Sequence, residues 1–336
     1  MLQSLRRSIW FGLFCLTLAS RAASAQQVHE LSYRDRLYAA VAVGQDLIVV
    51  GHPGLMLHSG DLGKTFTRVP IPTRDALFGI AFNAAGFGAA VGRSGLVLLS
   101  EDKGKTWTKV EAKVAGEDAA HLFAIDVLPD GTLVAVGEFG ALLRSVDRGK
   151  TWTRQKFSIE LPNTEDAVEE LNNVEEAQLT SVHFIDAQHG FISGDYGLVL
   201  ESTDAGQTWK RQNTRAEGLL FSLAIAGPGH LIAAGGDGIV IETRDGGASW
   251  KKLPTNTGEH LYGVWASGDR TLVVGANGVI LRREGDQPLK PVATDLHTWL
   301  ISAAFVDAQH GVLVGGRGYV VASDDGGQHF KRIFGE

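Results

Sequence analysis

The sequence predicts an all-β fold, a seven-bladed β-propeller built from four-stranded antiparallel blades. An eight-residue block with aspartate at its third position recurs six times, and a Gly-x-x-Gly turn recurs seven times. The 311 residues from Gln26 onward, divided by seven, give about 44 residues per repeat. That is the length of a four-stranded propeller blade.

The aspartate blocks come first, because they set the repeat. The six copies are SGDLGKTF (59–66), SEDKGKTW (100–107), SVDRGKTW (145–152), STDAGQTW (202–209), TRDGGASW (243–250) and SDDGGQHF (323–330). Their aspartates are Asp61, Asp102, Asp147, Asp204, Asp245 and Asp325. Each is expected to accept hydrogen bonds from turn N–H groups, and the closing aromatic to pack between neighbouring blades. Because the copy in blade 6, RREGDQPL (282–289), is degenerate, we expect a looser outer turn there.

The Gly-x-x-Gly turns place the strands within each repeat. They begin at Gly51, Gly92, Gly137, Gly194, Gly235, Gly275 and Gly315. An apolar run precedes each turn and another follows it, and both have strand length. The order in every blade is therefore strand A, turn, strand B, Gly-x-x-Gly turn, strand C, aspartate block, strand D.

The N-terminal segment has the pattern of a secretory signal peptide. Arg6 and Arg7 precede an apolar run from Ile9 to Ala19, and Ala23-Ser24-Ala25 is a small-residue cleavage site. We expect cleavage after Ala25 and a periplasmic or secreted protein. Residues 26–336 then form one domain without cysteine. Removal of three arginines and no acid gives (31 − 3) − 38 = −10, which disfavours nucleic acid and anionic lipid surfaces as partners.

Two ways of closing the ring remain open at this stage. Val28 to Tyr33 adds an outer strand beside the seventh blade, or the first and last blades close the ring by packing alone. In either case the closed ring leaves only short protected strand edges, so we expect a monomer.

The repeat resembles known families. Ser-x-Asp-x-Gly-x-Thr-Trp is similar to the Asp-box, or BNR repeat, of sialidases and other secreted propellers. The stretches at 184–209 and 305–330 resemble the photosystem II stability and assembly factor family of seven-bladed propellers. The resemblance implies a non-enzymatic binding or assembly role at the soluble face of a membrane protein complex. Relatives in non-photosynthetic bacteria are associated with RND-type transporters. Photosynthetic members use an arginine-rich patch, whereas the arginines here are scattered along the sequence.

Strand alternation assigns every loop to one of two rims. The A–B turns and the aspartate blocks share one rim, which we call the block rim. The Gly-x-x-Gly turns and the blade-to-blade connections share the other, which we call the mouth rim. The candidate partner-binding residues on the mouth rim are His52, Arg93, Glu138, Phe139, Asp195, Tyr196, Asp237, Asn277 and Arg317. The alternative is that they are ordinary polar turn residues.

An acidic insertion, residues 158–178, separates blades 3 and 4 and should overhang the mouth rim. It is either a solvated loop or a docking element for a basic partner. A third interpretation is a cation site formed by Glu165, Asp166, Glu169 and Glu170, but the run lacks the ligand spacing and turn glycine of a calcium loop.

Enzymatic activity is the competing hypothesis. A sialidase-like or other glycoside hydrolase would use two carboxylates from Glu138, Asp195 and Asp237. No arginine trio or tyrosine nucleophile signature accompanies them, and the histidines lack metal-ligand spacing. We therefore predict no cofactor, no metal and no catalytic residues.

Overall fold

The computed structural model describes residues 26–114, 117–157 and 177–335. The predicted signal peptide lies outside these residues, as do Glu165, Asp166, Glu169, Glu170 and the rest of the insertion up to residue 176. Within the described part of the chain, no helix is long and apolar enough to cross a membrane.

The chain forms seven antiparallel sheets, which we number as blades in chain order. Blade 1 comprises Gln26–Val28 (β1), Arg36–Val43 (β2), Asp46–His52 (β3), Leu55–Ser59 (β4) and Phe66–Arg68 (β5). Blade 2 comprises Leu77–Phe82 (β6), Gly88–Gly92 (β7), Leu96–Ser100 (β8) and Thr108–Glu111 (β9). Blade 3 comprises Leu122–Val127 (β10), Leu133–Gly137 (β11), Leu142–Ser145 (β12) and Thr153–Arg154 (β13). Blade 4 comprises Leu179–Phe184 (β14), Gly190–Gly194 (β15), Val199–Ser202 (β16) and Lys210–Arg211 (β17).

The remaining three blades repeat this order. Blade 5 comprises Leu220–Gly227 (β18), His230–Gly235 (β19), Val240–Thr243 (β20) and Lys251–Lys252 (β21). Blade 6 comprises Gly263–Ser267 (β22), Arg270–Val274 (β23), Ile280–Glu284 (β24) and Lys290–Pro291 (β25). Blade 7 comprises Leu300–Phe305 (β26), Gly311–Gly315 (β27), Val320–Ser323 (β28) and Lys331–Phe334 (β29).

The sheets are arranged around a central channel. Strands A of the blades are β2, β6, β10, β14, β18, β22 and β26, and each contacts the strand A of both neighbouring blades, the last contacting the first. Among strands B, β7 and β11 are buried along their whole length because neighbouring blades cover both faces. The prediction of a seven-bladed propeller with four-stranded antiparallel blades is confirmed.

The apolar core is divided into seven clusters, one at each interface between blades. The closing aromatic of each aspartate block packs into the interface with the preceding blade, as predicted. Trp209, for example, is 2% exposed and lies between blades 3 and 4. In blade 6, which lacks the aromatic, Leu289 takes that place between blades 5 and 6.

The ring closes by packing of the first and last blades. The outer strand beside blade 7, one of the two arrangements that the sequence left open, does not form: β1 pairs with β5 on the outer edge of blade 1, with Val28 opposite Phe66. The reason is that the segment after β1 buries Leu31 in the interface between blades 7 and 1. Two hydrogen bonds complete the closure, from Gly318 N to the Asp35 carbonyl at 2.8 Å and from Ala40 N to Ser302 Oγ at 3.1 Å.

The bond from Ala40 N to Ser302 Oγ belongs to a set that joins successive strands A. Ser181 Oγ accepts Leu223 N at 3.1 Å, and Ser222 Oγ accepts Val264 N at 3.2 Å. A polar side chain of one strand A thus satisfies a backbone donor of the next. These bonds hold adjacent inner strands in register around the channel.

Blade 6 is fastened differently at its outer turn. Arg283 stands where the other blades have the first Ser or Thr of the block, because it lies eight residues after the first glycine of its turn. Its guanidinium donates to Glu242 of blade 5, which is fully buried and also bonds His230 Nε2 at 2.8 Å and Lys251 Nζ at 3.0 Å. The expected looser turn does lack the hydrogen bonds of the block, but this ion pair ties it to blade 5.

Candidate functional site

The block rim uses its aspartates for folding. In blade 2, Asp102 Oδ1 accepts hydrogen bonds from Ser100 Oγ and Thr106 N, each at 2.9 Å, while Gly104 N donates to Ser100 Oγ at 2.8 Å. The other five blocks repeat these bonds. Burial alone would raise the pKa of Asp102, but the bonds from Thr106 and Ser100 lower it below its usual value.

The mouth rim repeats a backbone conformation instead of a set of side chains. The first glycine of each turn lies against the backbone at the start of strand A, so that a Cβ on Gly92 would stand 2.0 Å from the Ala76 carbonyl oxygen. The third position has a left-handed backbone in six turns, with φ between 50° and 57°. Those six residues are Ser94, Phe139, Tyr196, Asp237, Asn277 and Arg317. The backbone thus fixes where each side chain projects.

Seven of the nine predicted mouth-rim residues are exposed, and two are partly buried. The exposed ones are His52, Arg93, Phe139, Tyr196, Asp237, Asn277 and Arg317. Glu138 Oε1 accepts His121 N at 2.7 Å, and Asp195 Oδ2 accepts Gln178 N at 2.9 Å. These two carboxylates therefore hold the start of strand A in their own blades.

Four exposed arginines lie on the mouth rim of three consecutive blades. Arg317 is in the turn of blade 7, Arg36 begins strand A of blade 1, Arg74 lies in the connection to blade 2, and Arg93 is in the turn of blade 2. Among the described residues, none of the four has a carboxylate within 4.0 Å or a side-chain hydrogen bond. These four arginines, which are separated in sequence, are thus grouped on one side of the mouth, where Asp35 and Asp75 also lie, while Arg215 is exposed in the connection to blade 5.

The opposite side of the mouth is acidic. Glu138, Asp195 and Asp237 occupy the turns of blades 3, 4 and 5, and Glu259 lies in the connection to blade 6. Two histidines bridge neighbouring blades here, since Ser94 N donates to His121 Nδ1 at 3.1 Å and Asp237 N to His260 Nδ1 at 3.2 Å. The mouth rim therefore carries more arginines than carboxylates on blades 7, 1 and 2, and more carboxylates than arginines on blades 3 to 6.

A collar of aromatic rings lies below the mouth rim at the start of strands A. Its members are Tyr38, Phe78, Phe123, Phe221, Tyr262 and Trp299, all partly exposed. Four of them form a continuous chain on blades 7, 1, 2 and 3. Trp299 stacks on Tyr38 at 6.0 Å between centroids, Tyr38 meets Phe78 edge-on at 5.3 Å, and Phe78 meets Phe123 edge-on at 6.1 Å. Phe221 and Tyr262 form a separate pair at 5.1 Å.

The collar opens into a cavity of about 420 Å³ in the channel, lined mostly by Tyr38, Phe78, Phe123, Phe221, Tyr262 and small residues of strands A. A second cavity of about 360 Å³ continues from it, since both are lined by Ala40, His183, Ser222 and Ser302. Sequence reasoning missed the collar. The signal was present, because a leucine precedes an aromatic residue at the start of strand A in five blades.

The histidines of the A–B turns are turn residues. His189 Nδ1 lies 2.8 Å from Asp186 Oδ2, and His310 Nδ1 lies 2.9 Å from Asp307 Oδ2. Hydrogen bonds from the backbone and from these histidines lower the pKa of Asp186 and of Asp307 to about 2. Within the described ranges, no group of three or more His, Cys, Asp or Glu side chains has the geometry of a metal site.

Comparison with known proteins gives a family and several structural neighbours. The model of the photosynthesis system II assembly factor YCF48 family matches residues 69–181 and 169–257, which together exceed half of the chain. No curated protein matches the chain in sequence.

Three solved structures illustrate the likeness of fold. A structure described as YCF48 bound to D1 peptide is 14% identical, with 89% of this chain and 96% of that chain covered and a TM-score of 0.68. YCF48 from Cyanidioschyzon merolae is 21% identical, with 79% and 86% covered and a TM-score of 0.61. A GH74 xyloglucanase from Xanthomonas campestris is 15% identical, with 90% and 54% covered and a TM-score of 0.69.

Proposed function

The chain belongs to the photosynthesis system II assembly factor YCF48 family, and on that premise we propose that it is a non-enzymatic binding propeller. It assists the assembly or function of a membrane protein complex by holding a soluble segment of that complex at its mouth rim. In this proposal the protein is exported and acts in the periplasm or outside the cell. An RND-type transporter is the partner we put forward first, as the resemblance described in the sequence analysis implies.

The observation that carries the proposal is the group of four arginines, Arg36, Arg74, Arg93 and Arg317. The chain has 38 acidic residues against 31 basic ones, so intramolecular partners are plentiful. Several arginines elsewhere are paired, such as Arg148 with Glu101 and Arg154 with Glu117. Arginines left open on one side of a rigid rim suit carboxylates supplied by a partner, which they can bind through two parallel hydrogen bonds.

Two exposed aromatic residues support the same face. Phe139 is 67% exposed and Tyr196 is 54% exposed, on the turns of neighbouring blades 3 and 4. Both have positive φ, which costs a bulky side chain about 1–2 kcal/mol. Neither packing nor backbone preference explains an aromatic residue there, whereas a contact with a partner does.

One structural neighbour is described with a bound peptide, which supports a polypeptide ligand for this chain. The structure described as YCF48 bound to D1 peptide is a propeller of this fold that holds a peptide. We propose that the corresponding ligand of this chain is an extended, acidic segment of its membrane partner. Extended segments suit the open end of a propeller, since loops on a rigid scaffold present side chains at fixed positions.

The test is crosslinking in cells, with charge reversal on either rim. The variant Arg93→Glu/Arg317→Glu alters the mouth rim, and Lys64→Glu/Lys105→Glu alters the exposed lysines of the block rim by the same net charge. We expect the native chain and the lysine variant to recover the same membrane complex, and the arginine variant to recover about tenfold less. Equal recovery by both variants, or recovery of no membrane protein by the native chain, contradicts the proposal.

The hydrolase alternative has less support. The GH74 neighbour shares only the fold, and this chain covers about half of its length. Glu138 and Asp195, two of the three candidate carboxylates, already accept backbone N–H groups. Release of reducing sugar from xyloglucan by the native chain, abolished in Glu138→Gln and Asp195→Asn, would favour the alternative.

A further inference from the structure

We propose that the aromatic collar is an anchor pocket, which takes one bulky apolar side chain, preferably aromatic, from the acidic partner segment. The segment lies across the side of the mouth formed by blades 7, 1 and 2, with its carboxylates on the arginines. Its anchor side chain points down the channel. This inference rests on the proposed function and adds the chemical class of the bound segment.

The collar is not required by the fold. The residue after the first leucine of strand A is Thr180 in blade 4 and Ile301 in blade 7, and both blades have regular strands A. A small or aliphatic side chain is therefore tolerated at the position that Tyr38, Phe78 and Phe123 occupy. Aromatic rings left partly exposed at these positions offer apolar area that a ligand can cover.

The space below the collar has the size and lining of a side-chain pocket. The cavity of about 420 Å³ lies within the range of ligand pockets, about 300–1,000 Å³. Its floor is formed by Ala40, His183, Ser222, Ile301 and Ser302, and the second cavity continues beyond them. An aromatic side chain entering from the mouth meets ring edges at the rim and open space beneath.

Charge complementarity fixes the kind of segment. The continuous chain of four rings lies on blades 7, 1, 2 and 3, and the four open arginines lie on blades 7, 1 and 2. Apolar surface and four arginines thus coincide on one side of the mouth, where they outnumber Asp35 and Asp75, while Asp237 and Glu259 lie on the opposite side. A segment with carboxylates flanking one aromatic residue satisfies both surfaces together.

The test uses capped peptides and the exported chain, residues 26–336. The peptides have the sequence Asp-Asp-Gly-Xaa-Gly-Asp-Asp, with Trp, Phe, Leu or Ala at Xaa, and a fifth has Phe at Xaa with Lys in place of every Asp. Binding is measured by calorimetry. We expect the Trp and Phe peptides to bind at least about tenfold more tightly than the Ala peptide, as burial of one aromatic side chain predicts. The Lys peptide should bind more weakly than its acidic counterpart.

Variants separate the pocket from the rim. Phe78→Ala removes the ring at the centre of the four-ring chain, and Ala40→Phe fills the cavity while leaving the rings and arginines in place. Both should abolish the preference for Phe over Ala. Ile185→Ala, on the block rim, is the matched control and should leave the preference intact. The thermal midpoint of each variant shows that it is folded.

Each outcome decides between the two proposals. If all acidic peptides bind equally and Arg93→Glu/Arg317→Glu weakens them all, the anchor pocket is wrong and the proposed function stands. If no peptide binds at about 1 mM, or the Lys peptide binds best, the anchor pocket is overturned, and the crosslinking experiment still decides the proposed function. If the preference for Phe over Ala is lost in Phe78→Ala and in Ala40→Phe but kept in Ile185→Ala, the anchor pocket is supported.

Discussion

The block rim and the mouth rim are both made of turns that recur around the ring, but they repeat different things. Six aspartate blocks repeat the side chains and their hydrogen bonds. Six mouth turns repeat the backbone conformation at their third position and carry six different residues there. Side chains repeated in every blade serve what every blade needs, which is folding. Different side chains on a repeated backbone are what recognition of one partner needs.

Blade 6, which lacks the aspartate block, shows most clearly what the block does on the block rim. Blade 6 has no block aspartate bonded to Ser or Thr, so another contact must hold its outer turn. Arg283 takes the place of the first block residue and is paired with Glu242 of blade 5. Burial by itself would raise the pKa of Glu242, but hydrogen bonds from Arg283, Lys251 and His230 lower it to about 2. The interface between blades 5 and 6 is thus fastened by charge at the block rim.

The largest effect is therefore expected from Glu242→Ala. The substitution leaves Arg283, whose side chain is only 3% exposed, buried without its carboxylate. We expect the free energy of unfolding to fall by about 3–5 kcal/mol, measured by urea denaturation. Glu201→Ala, at the equivalent position of blade 4, loses only the hydrogen bond from Gln212 and should cost less than about 1 kcal/mol. Similar losses at both positions would mean that the ion pair does not replace the block.

Asp102→Ala tests the intact block. The aspartate accepts bonds from Ser100 and Thr106 that hold the turn before Trp107, so we expect a loss of about 2 kcal/mol. The control is Asp286→Ala on the same rim of blade 6. Its carboxylate is 84% exposed and touches Arg244, so the loss should stay below about 0.5 kcal/mol. Recovery of the membrane partner should be unchanged in both variants, and a loss of recovery in Asp102→Ala without unfolding would assign function to the block rim.

Lowering the pH should decrease the stability of the fold gradually, and by a smaller amount, through the same aspartate blocks. Hydrogen bonds lower the pKa of the block aspartates, to about 2 for Asp147 and Asp245. A group whose pKa is lower in the folded state stabilises the fold above its unfolded pKa and loses that contribution as the pH falls through its folded pKa. The urea midpoint should therefore fall between about pH 5 and pH 2. In Asp102→Asn one of these titrations is gone, so the decrease should be shallower than in the native chain. A steeper decrease in Asp102→Asn would contradict the assignment of this pH dependence to the block aspartates.

The sequence predicted the block rim better than the mouth rim, for a physical reason. The aspartate blocks are local turns whose residues recur in the sequence. The number of blades, the strand order and the burial of the closing aromatics could therefore be predicted from the repeat. The sequence left open how the ring closes, because Leu31 has a burial site that only the closed ring creates. The shift of the degenerate block to Arg283 depends on pairing with Glu242 of another blade.

The grouping of arginines was beyond sequence reasoning because it depends on ring closure. Arg317 belongs to the last blade and Arg36 to the first, and only the ring makes those blades neighbours. The aromatic collar could more easily have been predicted, since the sequence repeats a Leu-aromatic pair at the start of strand A, as in Leu37-Tyr38, Leu77-Phe78 and Leu122-Phe123. That pattern also fits an ordinary buried strand, so only the ring geometry shows that the rings face the channel.

The smallest expected effect tests the mouth rim most directly. Phe139→Asn/Tyr196→Asn keeps the left-handed turns but gives them a residue that tolerates positive φ. We expect the free energy of unfolding to rise by about 0.5–1 kcal/mol per site, since both rings are mostly exposed, while recovery of the membrane partner falls.

The matched control is the reverse exchange, Asn277→Phe in blade 6, which should lose a similar amount of stability and gain no binding. If the double variant gains stability and keeps full recovery, the two aromatic residues are not contacts. If it loses stability, the rings are held by packing, and the difference between the rims would no longer separate folding from recognition at these two turns.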